Sequence, residues 1–592
     1  MQVRYLIARS SNDRVLAAIR GRLERSKPGF VREIAGGTFV WVNESGTDLD
    51  ARAGFLYVIG DIFPKKDLSE AAGGVARPIG VSHLEKCVSE FWGSYMAVKP
   101  PGAGGDMQVL RAPMGALPAY YVLSHDLIVV ASDVDLMQEL GLVRRGVDWD
   151  ALPVFLSSVS VVSHRTCLAG VQELPPGCVL TIDERLQVGV NPMWKFWDYA
   201  ECTRIPSRQA AETQVRHAIE GVTRHLIRRA GAVGVSLSGG LDSSIVASCA
   251  AAEGQRPVLM TFAADDPDGD ERLFARAVAS RLGLELLEFQ FEREEVDLFV
   301  SSSRHLPRPI GNAQTQSVAR QYTKIASQLG LTAIMNGMGG DNVFCTNSSS
   351  LPLVDAFLGR ASFSEFRDTL TSLQNLTGVT KTKIVAQMLR VLARGRKPNW
   401  KPSLANFLRG EPDRCSGDPL AFSWLGLKGQ SPPGKQYHVE MIVRTMHTSE
   451  GFHRATTPAW LSPLMSQPVV EACLKVPTWQ WTSGGMNRAV ARTAFSDRLP
   501  PCVAYRRTKG GPDAFLRDFA LSRRTLLREI ILDGELVRRG ILDQRRLEGA
   551  FADDSMLRDG YHAKLLHIAD IEAWIAYWDG LTLSADDCAP AV

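Results

Sequence analysis

The string SLSGGLDSS at residues 236–244 limits what this chain can fold into more than any other part of its sequence. It follows a strand-like run and precedes a helix-like run that begins near Asp242. Two adjacent glycines allow a tight turn and a close approach of a ligand to the backbone. Serine hydroxyls and the N-terminus of the following helix would direct hydrogen-bond donors at the same point. The string therefore predicts a cradle for an anion such as pyrophosphate, formed by Ser238, Gly239, Gly240, Ser243 and Ser244.

Strand-like and helix-like runs alternate in the part of the chain around this string. Short runs of β-branched residues predict strands, and a 3.6-residue apolar period predicts helices. The predicted strands span 232–237, 257–262, 284–289 and 332–336, and predicted helices span 271–282 and 317–329. This alternation predicts right-handed βαβ units and a parallel sheet with helices on both faces.

A second glycine-rich turn, MNGMGGDNVF at 335–344, follows the last of these predicted strands. Ligands of such sheets bind at the carboxyl ends of the strands, so both turns would line one crevice. Asp242 would repel a phosphate unless a cation lay between them. We therefore expect Asp242 and Asp341 to bind one Mg²⁺ that also contacts phosphate oxygens.

A competing phosphate-loop signal lies at 429–436, where the sequence reads GQSPPGKQ. Gln436 stands where a Walker A loop requires Ser or Thr, and no strand-like run precedes the segment. We predict that this segment is an ordinary loop.

The first two hundred residues have a different organisation. Short β-branched and aromatic runs bounded by Gly, Pro and Asp predict strands at 55–59, 93–98, 107–110 and 127–131, with a helix at 150–156. The pattern stops near 203, and a 3.6-period helical stretch begins at Gln209. The predicted domains are therefore 1–203 and 204–592.

Composition excludes several classes of function. The 592 residues include 67 Lys and Arg against 64 Asp and Glu, so the net charge of +3 gives no general attraction to nucleic acid or to an anionic membrane. No apolar run approaches the ~18 residues of a membrane helix, and the first residues do not resemble a secretory signal. Ten cysteines without a CxxC pair suit a reducing compartment. We expect a cytoplasmic protein without nucleic-acid or membrane partners.

The two glycine-rich turns resemble those of the asparagine synthetase family, which pairs SGGLDSS with a later G-x-G-x-D turn. RAPMGALPAYY at 111–121 is similar to a strand turn of that family's amidotransferase domain, and GVQELPPG at 170–177 to the segment that ends it. YRRTKG at 505–510 stands where the family has a lysine that contacts the phosphates. The resemblance implies an α/β protein: an N-terminal class II glutamine-amidotransferase-like αββα sandwich, followed by an adenine-nucleotide α-hydrolase-like (PP-loop) parallel-sheet synthetase domain with helical additions.

The resemblance also implies ATP and Mg²⁺ as cofactors and assigns roles to residues. By position, Leu237 and Ala264 would line the adenine pocket, while Asp242 and Asp341 would hold Mg²⁺. Lys509 would stabilise charge on the phosphorus and on the later oxyanion. The resemblance places further nucleotide contacts, at the ribose and the α-phosphate, at Asn336, Gly337 and Gly339.

Departures from the family pattern narrow the expected function. Glutamine-dependent members use an N-terminal Cys as nucleophile, whereas this sequence reads Met1-Gln2, so we expect the amine to come from another substrate. Met338 stands where asparagine synthetases have Glu and β-lactam synthetases have Tyr, and a thioether replaces neither. Asn342 replaces the usual Glu, and the ending GGDNVF is similar to the lasso peptide cyclase branch.

That branch implies an ATP-dependent, AMP-forming ligase that closes a macrolactam on a precursor peptide. The core peptide would be its substrate, and a leader peptidase or leader-binding protein a further partner. The alternatives are a β-lactam synthetase-like or other small-molecule amide ligase, a glutamine-independent asparagine synthetase, and a scaffold that has lost catalysis. No base for the amine is identified, although Glu440, Glu450 and His453 lie in the corresponding region.

The segment 381–397 carries six basic residues and no acidic one. Ile384, Met388, Val391 and Leu392 give it an apolar helical face. Such a helix either has a solvated basic face or contacts the precursor or a partner protein.

Overall fold

The structure of the protein is a computed structural model. It describes residues 3–34, 36–43, 56–69, 83–102, 105–157, 163–201, 205, 207–252, 254–263, 270–290, 292–312, 315–359, 361–395, 404–410, 431–446, 450–451, 453, 457–507, 513–552 and 560–580.

The N-terminal domain is built from two antiparallel sheets. Its strands are β1 Tyr5–Ser10, β2 Phe30–Ile34, β3 Thr38–Val42, β4 Tyr57–Pro64, β5 Phe91–Lys99, β6 Met107–Arg111, β7 Tyr120–Leu123, β8 Leu127–Ala131, β9 Val171–Glu173, β10 Cys178–Ile182 and β11 Val188–Pro192. Its helices are α1 Asp13–Ser26, α2 Leu84–Glu90, α3 Val134–Glu139, α4 Ala151–Ser157 and α5 Trp197–Ala200. One sheet has the order β2-β3-β1-β8-β7-β9 and the other β11-β10-β6-β5-β4.

The two sheets pack face to face, and helices cover their outer faces. Tyr5 and Ile7 of β1 share one core with Met96 of β5, whereas Leu6 packs with Leu23 of α1 on the other side of the sheet. A strand buried on both faces reads as a continuous apolar run, as the sequence YLIA of β1 does. The predicted αββα sandwich is therefore confirmed.

The second domain contains the predicted parallel sheet. Its elements are α6 Arg208–Ala230, β12 Val233–Ser236, α7 Leu241–Ala252, β13 Val258–Ala263, α8 Arg272–Leu282, β14 Leu286–Gln290, α9 Thr315–Leu329, β15 Ala333–Met335 and β16 Ala459–Leu461. All pairings are parallel, in the order β14-β13-β12-β15-β16. The strand order reverses between β12 and β15, and a topological switch point of this kind is where ligands of such sheets bind.

The other elements of this domain in the described residues are helices. They are α10 Gly340–Val343, α11 Leu351–Leu358, α12 Phe363–Thr377, α13 Lys381–Arg394, α14 Pro433–Met446, α15 Gln467–Lys475, α16 Ala489–Ala494, α17 Pro501–Ala504, α18 Asp513–Ser522, α19 Arg524–Leu532, α20 Glu535–Arg538, α21 Gln544–Ala550 and α22 Tyr561–Asp579. Short 3₁₀ segments span Lys65–Ser69 in the N-terminal domain and Arg293–Glu295, Pro463–Met465 and Thr478–Trp481 in the second domain. Among the described helices, none has the length and apolarity needed to cross a membrane.

The prediction of a loop at 429–436 is wrong for residues 433–436, which lie in a helix. Helix α14 begins at Pro433, and a proline at the first helical position costs no intrahelical hydrogen bond. The Lys435 amine is buried and donates to the carbonyl oxygens of Leu474 and Val476, the latter at 2.6 Å. These carbonyls lie at the C-terminal end of α15, so Lys435 caps a helix and does not face a nucleotide loop.

A buried ion cluster joins the two domains. Arg111 of the N-terminal domain lies 2.7 Å from Glu173 and 3.0 Å from Glu450 of the second domain. Arg308 pairs with both glutamates, and the Tyr120 hydroxyl donates to Glu450 at 2.8 Å. Both Glu450 oxygens thus have structural partners, which argues against Glu450 as a base. The cluster fixes how the domains pack.

Candidate functional site

The two glycine-rich turns lie side by side, as the parallel sheet requires. Val235 of β12 pairs with Met335 of β15, so both chains leave the sheet at the same edge. A Cβ on Gly337 would overlap the backbone of Ser243, and one on Gly340 would overlap the Asp242 carboxyl group. The glycines of the second turn are therefore needed for contact with the first turn.

The first turn is held by its own serines. The Ser238 amide donates to the Ser243 hydroxyl at 3.2 Å, and the two hydroxyls are 3.1 Å apart. Ser244 is buried and donates to the Gly240 carbonyl at 2.7 Å, so it stabilises the turn. Gly239 has a φ of +74°, and a Cβ there would meet the amide nitrogen of Ala275 at 2.6 Å. Ser238 remains exposed at the mouth of the turn.

The two aspartates expected to bind Mg²⁺ come together on one guanidinium group. Arg488 Nη1 lies 3.0 Å from Asp242 Oδ2 and 2.8 Å from Asp341 Oδ1. The side chains are mostly buried, with 11% exposure for Arg488, 13% for Asp242 and 33% for Asp341. Thr346 also donates to Asp341, at 3.3 Å. The structure thus brings together carboxylates from two separate turns.

Arg488 was not among the predicted site residues. It precedes α16 and has a φ of +53°, a left-handed conformation that few residues other than glycine adopt. Arg492 fixes the same turn through a 3.0 Å hydrogen bond from its Nε to the Asn487 carbonyl. Burial, and then the charge of Arg488, lowers the pKa of Arg492 to about 10. The sequence signal of this arrangement is that Arg488 and Arg492 follow the order of residues in the asparagine synthetase family, without an assigned role.

The second turn is fixed by polar contacts of its own. Asn336 Oδ1 accepts from the Met338 amide and from the Ser462 hydroxyl, each at 3.0 Å. Gly339 has a φ of +83°, and a Cβ there would overlap the Met465 side chain. The side-chain amide of Asn342, in α10, donates to the Met441 carbonyl of α14 at 2.5 Å. This hydrogen bond joins the second turn to α14.

Of the remaining predicted site residues, the structure describes Leu237. Leu237 is fully buried, and its amide donates to Met260 at 2.7 Å. Ala264 and Lys509 lie outside the described residues. Arg506, three residues before that lysine, pairs with Glu271 at 2.9 Å and stacks on Phe274 at 3.7 Å.

Two family models match the chain. One, described as asparagine synthase, matches residues 214–576, and the other, a glutamine amidotransferase domain, matches residues 82–194. The chain belongs to the asparagine synthase family. It is accordingly an ATP-dependent ligase that forms carbon–nitrogen bonds, and the alternative of a scaffold without catalysis is set aside.

Solved structures that match are distant. Glutamine phosphoribosylpyrophosphate amidotransferase from B. subtilis, complexed with ADP and GMP, is 9% identical over 57% of this chain and 90% of its own, with a TM-score of 0.21. An allosteric regulatory enzyme of purine biosynthesis is 10% identical over 57% of this chain and 89% of its own, with a TM-score of 0.22. Similarity at this level bears on no activity. No curated protein sequence matches significantly.

The residues of this asparagine synthase family member fit Mg²⁺ and a nucleotide. Mg²⁺ is usually bound by one or two carboxylates together with phosphate oxygens and water. Asp242 and Asp341 supply two carboxylates, and the described residues contain no cluster of three or more His, Cys, Asp or Glu that could hold a metal. The first turn leads directly into α7, which begins at Leu241, and the N-terminus of a helix can bind a phosphate through its backbone amides.

A cavity of about 310 Å³ lies between the two domains. Trp92 and Arg111 line it from the N-terminal domain, and Ser462 and Met465 line it from the synthase domain. Because Ser462 donates to Asn336, the cavity reaches the residues that support the second turn.

The three residues considered as a base for the amine are buried or are held in ion pairs within the protein. His453 pairs with Asp135 of the N-terminal domain at 2.8 Å, and Glu440 is buried within α14.

Proposed function

We propose that this ligase activates an Asp or Glu side chain of a precursor peptide with ATP and closes a macrolactam with the peptide's own α-amine. The observation that supports this best is the second turn. Met338 carries no acid or base, and the Asn342 amide is engaged with α14. Positions 338 and 342 thus offer neither a carboxylate nor a phenol to remove a proton. This suits an amine that needs little help to lose its proton, and a peptide α-amine has a pKa of only about 8.

The reaction divides into two displacements. The substrate carboxylate attacks the α-phosphorus of ATP, the bond from that phosphorus to the bridging oxygen breaks, and pyrophosphate leaves. The α-amine then attacks the acyl carbon, the carbon–oxygen bond to AMP breaks, and the amine nitrogen gives up one proton. Because both reacting groups belong to one bound peptide, the second attack is effectively unimolecular.

Residues of the chain orient the phosphates. The Ser238–Ser244 turn would donate amides and hydroxyls to the pyrophosphate, while Asp242 and Asp341 would hold Mg²⁺, which neutralises the phosphate charge. Lys509 would add a cation at the reacting phosphorus. Leu237, Ala264, Asn336, Gly337 and Gly339 would contact the rest of the nucleotide.

The cysteines of the N-terminal domain support an amine source other than glutamine. Cys87, Cys167 and Cys178 are buried in the described part of that domain. Burial raises the pKa of Cys87 and Cys167 to about 12, whereas a nucleophilic cysteine needs a lowered pKa. None of these three thiols is suited to attack glutamine.

ATP–pyrophosphate exchange with defined substrates tests the proposal. Peptides with a free α-amine and one internal Asp or Glu should support exchange and give a product lighter by one water in mass spectrometry. The same peptides with an acetylated N-terminus should support exchange without ring closure. Exchange with free aspartate or another small amino acid, and none with peptides, would overturn the peptide substrate in favour of a small-molecule amide ligase.

Asp242→Asn tests the nucleotide site, and Asp497→Asn is its matched control. Asp242→Asn keeps the side-chain shape but removes a charge, so exchange should fall at least about 100-fold. Asp497→Asn removes a carboxylate that is 58% exposed and pairs with Arg216 at the surface, and it should leave exchange unchanged.

A further inference from the structure

We propose that Arg488 keeps divalent cations away from Asp242 and Asp341 until nucleotide phosphates are bound, so that the metal binds only together with the nucleotide. The inference rests on the proposed role of these two aspartates as Mg²⁺ ligands. It concerns the protein before ATP arrives.

The guanidinium group uses the oxygens that a metal would need. A single nitrogen, Nη1, lies within hydrogen-bond distance of Asp242 Oδ2 and Asp341 Oδ1, at 3.0 and 2.8 Å. Arg488 also reaches the other Asp242 oxygen at 3.2 Å. The positive charge therefore already lies between the two carboxylates, and a cation must compete with it for the same atoms.

The backbone holds this arginine in place. Arg488 has a φ of +53°, and its carbonyl accepts the Arg492 amide at 3.0 Å. The Arg492 side chain binds the neighbouring Asn487 carbonyl at 3.0 Å and the Ala504 carbonyl at 2.6 Å. Because the turn is fixed on both sides, the guanidinium can leave the aspartates only by rotation of its own side chain.

Charge explains why bound phosphate would allow Arg488 to leave the two aspartates and a divalent cation to bind there. Asp242 and Asp341 interact with two guanidinium groups, Arg488 through ion pairs and Arg492 through its charge, so their two negative charges are already balanced. A divalent cation without its nucleotide would add uncompensated positive charge to a partly buried site with weak screening. Phosphate oxygens offer the guanidinium a new anionic partner. Arg488 Nε is buried and makes no hydrogen bond with the described residues, so a donor is available for that partner.

Arg488→Asn and Arg488→Lys separate this role from a structural one. Asn is chosen because it tolerates a positive φ better than other non-glycine residues, and Lys keeps the charge. Binding of Mn²⁺, as a paramagnetic substitute for Mg²⁺, would be titrated by electron paramagnetic resonance with and without ATP whose α,β-bridging oxygen is replaced by methylene.

The expected effects have opposite directions. Without nucleotide, Arg488→Asn should bind Mn²⁺ at least about tenfold more tightly than the wild type, and Arg488→Lys should resemble the wild type. The nucleotide analogue should raise the wild-type Mn²⁺ affinity at least about tenfold, with a smaller rise in Arg488→Asn. Arg488→Asn should bind the analogue more weakly than the wild type.

Other outcomes overturn the inference in distinguishable ways. Equal Mn²⁺ affinity of the wild type and Arg488→Asn without nucleotide would overturn it alone and leave the metal site in place. Weaker Mn²⁺ binding by Arg488→Asn under both conditions would show a structural role. No Mn²⁺ binding under any condition would overturn the metal assignment as well. If Arg488→Asn does not fold, absence of coupling between Mn²⁺ and the analogue in the wild type overturns the inference.

Discussion

At the scale of single residues, the site depends on groups that touch across two turns. Sequence pattern alone predicted Asp242, Asp341, Gly239 and Gly240, because turn chemistry and charge are local properties. Gly337 and Gly339 were assigned by the family resemblance. Arg488 could not be predicted in the same way. Its contact with both aspartates arises only when the segment before α16 packs against the sheet edge, and its left-handed backbone leaves no sequence signature in an arginine.

Gly340→Ala should disable the site without unfolding the protein. The added methyl group would overlap the Asp242 carboxyl group, which would have to move away from Asp341. Because catalysis depends on the positions of both carboxylates, this displacement of Asp242 should reduce the rate of ATP–pyrophosphate exchange about 10- to 100-fold.

Gly549→Ala is the matched control. Nothing lies within 4 Å of a Cβ at Gly549, which is inside α21, so the substitution should leave exchange unchanged and stabilise the protein by up to about 1 kcal/mol. An unchanged exchange rate in Gly340→Ala would contradict the close packing of the two turns.

At the scale of elements, prediction succeeded where the apolar pattern extends over the whole element. The predicted strand at 257–262 is β13 Val258–Ala263, and the predicted helix at 271–282 is α8 Arg272–Leu282. The described part of the basic segment contains the helix α13, which buries Ile384 and Met388 and exposes its four basic residues, Lys381, Lys383, Arg390 and Arg394. Strand β16 was not predicted, because three half-buried residues have no periodicity to detect.

Lys435 shows the limit of motif reading at this scale. Its Walker-like sequence context was correctly set aside, but the expected loop is a helix whose lysine caps α15. Burial lowers the pKa of Lys435 to about 8, whereas a lysine in a solvated loop keeps a pKa of about 10.4.

Lys435→Met should therefore destabilise the protein and leave nucleotide binding intact. The carbonyls of Leu474 and Val476 would lose their donor, and each buried unsatisfied group costs about 1–3 kcal/mol, partly offset by removal of a buried charge. We expect a loss of about 2 kcal/mol in the free energy of unfolding, measured by urea denaturation, with an unchanged KM for ATP. A raised KM at full stability would show that Lys435 contacts the nucleotide. The exposed Lys381→Met should change neither quantity.

At the scale of the whole molecule, the sequence predicted two domains and their fold but not the contacts between them. The boundary at 203 stays a prediction, since residues 202–204 lie outside the described residues. The interface depends on charged residues far apart in sequence, such as Arg111 and Glu450, which no local pattern associates. Their pairing in a buried place is a property of the assembled fold.

His305 makes this interface sensitive to pH. It is buried, its Nε2 lies 3.2 Å from the Glu450 carbonyl, and its ring packs against His453, which pairs with Asp135 of the N-terminal domain. Burial, and then the charge of His453, lowers the pKa of His305 to about 4, below the value of about 6.5 in an unfolded chain.

Because the unfolded chain binds this proton more readily, stability should rise with pH through the window between these two values. The contribution is fully present above about pH 6.5 and is lost as pH falls towards 4; a shift of this size corresponds to at most about 3 kcal/mol. We expect the free energy of unfolding of the wild type to fall more steeply from pH 6.5 to 4 than that of His305→Asn. The difference between the two proteins isolates His305 from the carboxylates that also titrate there. Parallel pH profiles would contradict a neutral, buried His305 at the domain interface.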